Sequence, residues 1–268
     1  MLRPQEAAEC IDLRRYPVSG TLSKYVERFW AVRWELPEQT SYESAVIGHP
    51  CVNLSFTPGL GAEVQGPRPA VSRHPLTGAG RVFGVKFRPG GFCAFTGRPG
   101  EHLADWTAGA RAVFGPEVDD LGAIALGGSD EAAAAAAYRF LVERMPPHVD
   151  PRYERLLEIV AAILTDRTIT KVEQVAERFA TTPKSLQRMF RSFVGLGPKW
   201  LIRRYRLHDA AELLAAGGEV SLARLAVELG WSDQAHFTHD FKDAIGLPPA
   251  EYAEQCASAA RELVLDAR

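Results

Sequence analysis

The chain has 268 residues, and its 31 Lys and Arg residues nearly balance 33 Asp and Glu residues, which gives a formal net charge of −2 at pH 7. This balance excludes a uniformly basic protein that coats nucleic acid and a strongly acidic tail, but it does not exclude local charged patches. The four cysteines form no CxxC pair, and the chain has no run of 18 apolar residues and no apolar leader. We therefore expect a cytoplasmic protein of two domains without a membrane span, a zinc module or a disulfide scaffold.

Short apolar runs alternate with turn residues between about residues 20 and 125. The runs at 52–56 and 81–87, each followed by Pro and Gly, are typical of the short strands of a β-sandwich or barrel. Residues 84–88 alternate small or apolar side chains with basic ones, which is the pattern of a half-buried strand. An Ala-rich run at 129–146 then predicts one helix of about four turns, because Ser or Asp caps its start and Pro ends it.

A second cap signal, Asp-Pro at 150–151, opens a half of the chain in which apolar residues recur at helical spacing. That half repeats itself, since residues 175–180 match residues 225–230 at an offset of 50. Each copy predicts a short helix, a break of a few residues, a second amphipathic helix and a Pro-containing stop. This order is the pattern of a helix-turn-helix, and one long helix from residue 199 to about 215 joins the two copies.

These patterns predict an α+β fold class with two domains. The first is a β-barrel or β-sandwich, and the second is an all-α double helix-turn-helix. The sequence pattern changes from short apolar runs with turn residues to helical spacing near residues 146–147. The predicted boundaries are 1–147 for a mostly β domain with a C-terminal helix, 151–256 for the helix-turn-helix domain, and 257–268 for a C-terminal tail.

Basic charge is concentrated in the first helix-turn-helix and in the joining helix. From Thr182 to Arg206 the chain has seven basic residues and no acidic one. Lys184, Gln187, Arg188 and Arg191 fall at i, i+3, i+4 and i+7 and therefore share one helix face. Arg can donate two hydrogen bonds to guanine and Gln can pair with adenine. A basic face on an isolated helix is usually only solvated, but its place inside a duplicated helix-turn-helix favours base reading.

Several motifs resemble the DNA-binding domain of AraC/XylS transcriptional regulators over about residues 152–255. They are the segments 182–191, 197–207, 230–237 and 248–252, in that order. The segments 48–56 and 83–92 are similar to the N-terminal sensor region of an AraC subfamily with no assigned effector. This second resemblance implies a cupin-like β-domain.

The predicted DNA-binding set comes from three helices. Lys184, Gln187 and Arg188 are expected to read bases, and basic residues of the joining helix are expected to contact phosphates. In the second unit the resemblance maps base contacts onto Gln234, Ala235, His236 and His239, next to Asp233, Asp240 and Asp243, which weaken binding. The complete set is Lys184, Ser185, Gln187, Arg188, Arg191, Lys199, Arg203, Arg204, Arg206, Gln234, His236, His239 and Lys242.

Two function classes compete for the N-terminal domain. In the first, the domain senses a small molecule or a partner and biases DNA binding. Polar side chains in apolar strands near aromatic rings are how pockets orient ligands. In the second, it is a metal-dependent cupin or a Cys-based enzyme fused to a DNA reader. The candidate ligand-binding residues are His49, Asn53, Lys86, Arg88, Phe92 and Trp106.

The sequence favours the sensor over the enzyme. A metal cupin needs clustered His and carboxylate ligands, whereas His49, His74 and His102 are isolated. The alternation of apolar and polar residues around Cys51 places its side chain in the core as readily as in a catalytic site. His236 and His239 could bind a metal only with a third ligand, which the sequence does not offer. We therefore expect no catalytic residue, no metal and no cofactor.

The expected partners are double-stranded DNA, a small-molecule effector, and RNA polymerase if the protein is an activator. A homodimer is favoured, because the Ala-rich helix carries small residues that permit close helix packing. In AraC-like sensors a helix after the barrel often pairs two subunits. The alternative is that this helix covers its own sheet. No membrane partner is expected.

Overall fold

The computed structural model describes residues 10–68, 70–217 and 220–266, with side chains up to residue 258. A β-rich N-terminal region precedes an all-helical C-terminal region, which confirms the predicted α+β class. The strands are β1 (Ile11–Pro17), β2 (Val26–Glu35), β3 (Ser41–Val46), β4 (Asn53–Thr57), β5 (Gly61–Gln65), β6 (Ser72–Thr77), β7 (Ala79–Phe87) and β8 (Thr107–Gly109). The helices are α1 (Cys93–Thr96), α2 (Ala110–Phe114), α3 (Val118–Gly127), α4 (Asp130–Val142), α5 (Pro151–Thr165), α6 (Val172–Arg178), α7 (Pro183–Phe193), α8 (Pro198–Ala215), α9 (Leu222–Glu228), α10 (Gln234–Ile245) and α11 (Pro249–Asp266).

Six strands form one antiparallel sheet in the order β1-β2-β7-β4-β5-β8, and β3 pairs with β6 in a separate two-stranded ribbon. The longest pairing joins β2 to β7, from Val26 opposite Phe87 to Glu35 opposite Ala79. The second half of β7 is buried on both faces, where the sequence pattern predicted a half-buried strand. Lys86, on the face expected to be exposed, is only 6% exposed and forms an ion pair with Glu27 at 3.1 Å.

The Ala-rich helix α4 begins as predicted, with the Ser129 side chain accepting a hydrogen bond from the Ala132 amide. Its face of small residues, with Phe140 and Leu141, belongs to the core of the N-terminal region. Asp130 at its start is 2% exposed and pairs with two arginines of the sheet. The helix therefore covers its own sheet, and the packing face on which the homodimer prediction relied is occupied within the chain.

The C-terminal region contains two helix-turn-helix units, α6–α7 and α9–α10, joined by α8. Ala180 and Gly230 take positive φ angles of 46° and 91° at the same turn position of the two units. Ala176 and Ala226 are buried one turn earlier, where the paired helices approach closely. Helix α11 continues to Asp266 and crosses the predicted boundary at residue 256, because Ala, Glu, Leu and Arg in that segment favour helix.

Both helix-turn-helix units contact the N-terminal region. Tyr25 belongs to the core of the first unit and stacks on Tyr153 of α5, with ring centroids 5.4 Å apart. Ala45 and Ile47, at the end of β3, belong to the core of the second unit. None of the helices in the described ranges is long and apolar enough to span a membrane.

Candidate nucleic-acid interface

The recognition helix of the first unit, α7, separates its apolar and polar faces. Its start is capped by Thr182, whose hydroxyl accepts a hydrogen bond from the Ser185 amide at 3.1 Å. Leu186 and Phe190 are fully buried. Ser185 is half-buried, and its hydroxyl lies 3.1 Å from that of Thr182, so this residue serves the cap. The exposed side chains, which we call the α7 reading face, are Lys184, Gln187, Arg188 and Arg191.

Two arginines of α8 do not lie where the sequence pattern predicted. Arg204 is 4% exposed and Arg206 is 1% exposed, so neither can contact a phosphate in this arrangement. Helix α8 is packed from several sides, and a basic residue on any of its buried faces is enclosed. Lys199 is exposed, and Arg203 is half-buried. Of the four predicted phosphate contacts, only Lys199 is openly available to DNA.

The buried arginines have partners within the protein. Arg206 donates a hydrogen bond to the carbonyl oxygen of Ile163 and forms an ion pair with Asp209 at 3.2 Å. The Arg204 guanidinium lies 4.9 Å from the ring centroid of Trp200. Burial lowers the pKa of Arg204 to about 10. These two arginines therefore hold α8 in place and are structural residues.

The recognition helix of the second unit, α10, has a different surface. Asp233 caps its start and accepts a hydrogen bond from the His236 amide at 2.8 Å. His239 lies 3.3 Å from Asp243, one turn further along the helix. A basic or ring nitrogen beside a carboxylate is less available to a phosphate or base than an unpaired one. The predicted contact residues of this helix are all exposed, namely Gln234, His236, His239 and Lys242.

A polar network ties α8 to α10. Arg203 forms an ion pair with Asp240, which we call the Arg203–Asp240 pair. Asp240 also accepts a hydrogen bond from the indole nitrogen of Trp231 at 2.6 Å, and Arg203 Nη2 lies 3.1 Å from His236 Nε2. From the sequence pattern, Asp240 is expected only to repel DNA by its charge. Its position one turn after His236 was the signal that the two side chains could share a partner.

A cleft of about 680 Å³ lies between the two recognition helices. Gln187 of α7, Lys199 of α8 and Asp243 of α10 line its walls. Ala70 of the N-terminal region also lines it. The N-terminal region therefore reaches the same cleft as a predicted base-reading residue.

The six candidate ligand-binding residues do not all meet at one site, although the ring centroids of Phe92 and Trp106 lie 6.4 Å apart. Phe92 is buried in the aromatic core beside Phe87, and Trp106 lies at the edge of that core, under the Arg98 guanidinium. None of the six lines the cleft between the recognition helices. The other four have separate surroundings. The His49 ring stacks on that of His208 with centroids 4.3 Å apart, and Asn53 lies opposite Lys86 in the pairing of β4 with β7. Arg88 donates a hydrogen bond to the Ser23 carbonyl oxygen.

Neither enzyme alternative gains support from the side chains. Cys51 is buried, and burial raises the pKa of its thiol to about 12, so the nucleophilic thiolate is not populated at neutral pH. In the described part of the chain, no group of three or more His, Cys, Asp or Glu side chains is arranged to hold a metal ion. His236 and His239 accordingly have no third ligand among those residues.

Comparison with known proteins agrees with this geometry. Residues 175–255 match a family model described as a helix-turn-helix domain, and residues 14–108 match one described as a domain of unknown function. PqrA of Proteus vulgaris, described as a probable transcription factor, is 32% identical over 84 residues, which cover 31% of this chain and 68% of PqrA. The transcriptional activator RhaS of Escherichia fergusonii is 33% identical over 79 residues, which cover 30% of this chain and 28% of RhaS.

The matched segment spans about a third of the length of several such relatives. Among solved structures, an apo variant of ToxT from Vibrio cholerae aligns with 90% of this chain and 98% of its own, at 13% identity and a TM-score of 0.41. The relatives include the regulatory protein PocR, an activator of the XylDLEGF operon and the arabinose operon regulatory protein. By its motifs, its duplicated helix-turn-helix and its similarity to PqrA, the chain belongs to the AraC/XylS family of transcriptional regulators.

Proposed function

We propose that the protein is a transcriptional regulator that binds double-stranded DNA at specific sequences. The α7 reading face carries this proposal. Its four polar side chains are exposed on one side of a capped helix, Leu186 and Phe190 on the opposite side are buried, and no acidic residue lies between Thr182 and Arg206. Arg188 and Gln187 are of the types that form paired hydrogen bonds with guanine and adenine in the major groove.

The two units contribute unequally in this proposal. Lys184, Gln187 and Arg188 read bases, while Arg191 and Lys199 contact phosphates. On α10 the contacts are weaker, because Asp240 is paired with Arg203 and Asp243 lies beside His239. The contacting residues of this helix are Gln234, His236, His239 and Lys242. Arg204 and Arg206 are withdrawn from the DNA-binding set because they are buried.

The N-terminal region, predicted as 1–147, acts in this proposal as a cupin-like sensor of a small molecule or a protein partner. Its contacts with both helix-turn-helix units give it a route to alter their relative position. The regulator works in the cytoplasm, binds RNA polymerase if it is an activator, and acts as a homodimer through a surface other than the buried face of α4. Light scattering at micromolar concentration tests the dimer, and a monomeric mass contradicts it.

Selection from a random double-stranded DNA library with the purified full-length protein tests the DNA-binding function. We expect a bipartite site in which one subunit protects two major-groove segments about 34 Å apart, or one helical turn. Binding should weaken with added salt in proportion to the phosphate contacts. The absence of any enriched sequence contradicts the function, and protection of a single groove segment contradicts the bipartite reading.

A further inference from the structure

The six-stranded sheet has one long open edge among the described residues. Strand β1 pairs with β2 from Ile11 opposite Trp34 to Pro17 opposite Arg28, and no described strand pairs with its other side. These pairs run without a register shift, whereas the pairing of β2 with β7 shifts between Val26 and Arg28. The opposite edge strand, β8, has only three residues. A regular edge of this length offers backbone N–H and C=O groups to a further strand.

Two exposed side chains of opposite charge lie on one face of β1. Asp12 and Arg14 point to the same face, because side chains alternate along a strand. Their side chains are 49% and 58% exposed, and Arg14 Nε lies 2.8 Å from an Asp12 carboxylate oxygen. Leu13 lies between them and is half-buried on the opposite face. The strand therefore carries one negative and one positive group placed symmetrically about Leu13.

This order of charges is complementary to itself. In an antiparallel pair of two β1 strands with the two-fold axis at Leu13, Asp12 of each copy lies opposite Arg14 of the other. Both contacts then join opposite charges. With the axis at Asp12, that residue would lie opposite its own counterpart, and with the axis at Arg14 the two arginines would meet. Because like charges directly opposite each other are destabilising, the charges select the register centred on Leu13.

We propose that β1 binds β1 of a second copy of this chain, in antiparallel order and with Leu13 on the two-fold axis, so that one sheet continues through both copies. The contact uses the same surface of each copy and therefore closes at the dimer. The small-residue face of α4 is buried within the chain, which leaves the dimer contact to another surface such as this edge. The inference names the surface of the homodimer proposed above and rests on that part of the proposed function.

Sedimentation velocity of the full-length protein tests the interface. An edge pairing of this length is smaller than a standard interface of about 1,600 Å², so we expect a reversible dimer with a dissociation constant of roughly 1 µM. Added salt should weaken it, because the paired charges are exposed. Asp12→Arg and Arg14→Asp each place like charges opposite one another, and each should weaken the dimer about tenfold or more. Arg111→Asp, at an exposed arginine paired with Asp119 elsewhere in the N-terminal region, is the matched control and should leave the dimer unchanged.

Mixing the two charge variants separates a lost interface from a damaged fold. In a mixed pair, the two acidic groups of the Arg14→Asp chain face the two basic groups of the Asp12→Arg chain. A heterodimer should therefore form at least as tightly as the wild-type dimer, although each variant alone is monomeric at the same concentration. Exchanging the charges within one chain, by Asp12→Arg together with Arg14→Asp, should restore the homodimer for the same reason.

Cysteine substitutions on the other face of β1 test the register. Residues directly opposite each other in an antiparallel pair have Cα atoms about 4.5–5.5 Å apart, a separation that a disulfide can join. Mild oxidation should therefore link Leu13→Cys chains into covalent dimers. Arg15 lies on the same face but opposite Ile11 of the second copy, so Arg15→Cys should give no more covalent dimer than the wild-type cysteines do.

Several results overturn the proposal. A wild-type protein that stays monomeric at about 100 µM contradicts both this interface and the homodimer. A wild-type dimer that Arg14→Asp leaves unchanged contradicts the β1 interface alone, and the homodimer then uses another surface. Charge variants that do not associate when mixed contradict the pairing of Asp12 with Arg14, and equal cross-linking of Leu13→Cys and Arg15→Cys contradicts the axis at Leu13. Because these assays contain no DNA, a failure of DNA binding leaves their outcome standing.

Discussion

The two helix-turn-helix units share one architecture and present different surfaces. In the first, the α7 reading face is exposed and carries no acidic neighbour on its helix. In the second, Asp240 holds Arg203 and lies 3.5 Å from His236, and Asp243 lies beside His239. The difference shows that a repeated fold fixes where a recognition helix lies, while neighbouring carboxylates decide how many of its groups remain available to DNA.

The helix that joins the units adds to this contrast. The sequence pattern predicts a single phosphate-binding stripe of basic residues, but only Lys199 is exposed, Arg203 is paired with Asp240, and Arg204 and Arg206 are buried. The basic charge that remains available therefore lies on the side of the first unit. The predictions that follow test this unequal division.

The largest effect is expected from removing base readers of the first unit. Replacing Gln187 and Arg188 together with Ala should weaken specific binding by about 4 kcal/mol, roughly a thousandfold, because two bidentate contacts are lost. The matched pair Gln234→Ala and His239→Ala should cost about tenfold. Fluorescence anisotropy with the selected site measures both. A greater loss from the second pair would falsify the division of roles.

Arg206 tests whether the joining helix uses its charge for folding or for DNA. Arg206→Ala should lower the free energy of unfolding by about 3 kcal/mol, because it removes the donor to the Ile163 carbonyl oxygen and the buried one of the two arginines paired with Asp209. Lys199→Ala should leave stability unchanged and reduce the slope of log affinity against log salt by about one unit. Urea denaturation and salt titration separate the two. A reduced salt slope in a stable Arg206→Ala protein contradicts the structural role.

Acid should weaken the attachment of the second unit through His208. Burial lowers its pKa to about 3, with Arg204 and Lys86 adding to the effect. In the unfolded chain His208 takes up a proton below about pH 6.5, and in the folded protein it stays neutral, so the free energy of unfolding falls as the pH drops through this window.

This loss should reach about 2 kcal/mol between pH 6.5 and pH 5, at about 1.4 kcal/mol per pH unit. Denaturation midpoints measured across that range give the slope. His208→Asn should reduce the slope without abolishing it, because His49 stacks on His208 and burial lowers the pKa of His49 as well. His102→Asn, at an exposed position, should leave the slope unchanged. An unchanged slope in His208→Asn would show that other groups take up the proton.

The smallest effect is expected at the Arg203–Asp240 pair. Asp240→Asn keeps an acceptor for the Trp231 indole and removes the charge that holds Arg203. Arg203 should then contact a phosphate, which makes the salt slope steeper by about one unit and tightens binding severalfold. Asp243→Asn removes an equal charge from the same helix without touching Arg203, and it should leave the slope unchanged. Equal salt slopes in the two variants would mean that the loss of one negative charge from α10, and not the release of Arg203, changes DNA binding.

Much of the fold was accessible from sequence because it depends on local signals. Ser129 and Asp150 cap helices that begin where predicted, and each accepts a hydrogen bond from an amide two or three residues later. The offset of 50 placed Ala180 and Gly230 at equivalent turns. The exposure of the α7 reading face followed from its i, i+3, i+4, i+7 spacing.

The errors fall where partners come from distant segments. Arg204 and Arg206 lie on α8, which is buried on several sides by other elements, and no local pattern shows that both are enclosed or that Arg206 donates to Ile163 of α5. The surroundings of the candidate ligand-binding residues depend on distant segments in the same way: His49 stacks on His208 of α8, and Phe92 packs in the core of its own sheet.

The sequence by itself determined the α+β class, the duplicated helix-turn-helix, the caps and the α7 reading face, because periodicity and capping act over a few residues. Only the tertiary structure decided which charges remain exposed, how α4 packs, and that Tyr25 stacks on Tyr153. Those outcomes depend on which faces become buried when regions more than a hundred residues apart come together, and burial changes the energy of a charge or a hydroxyl far more than its local neighbours do.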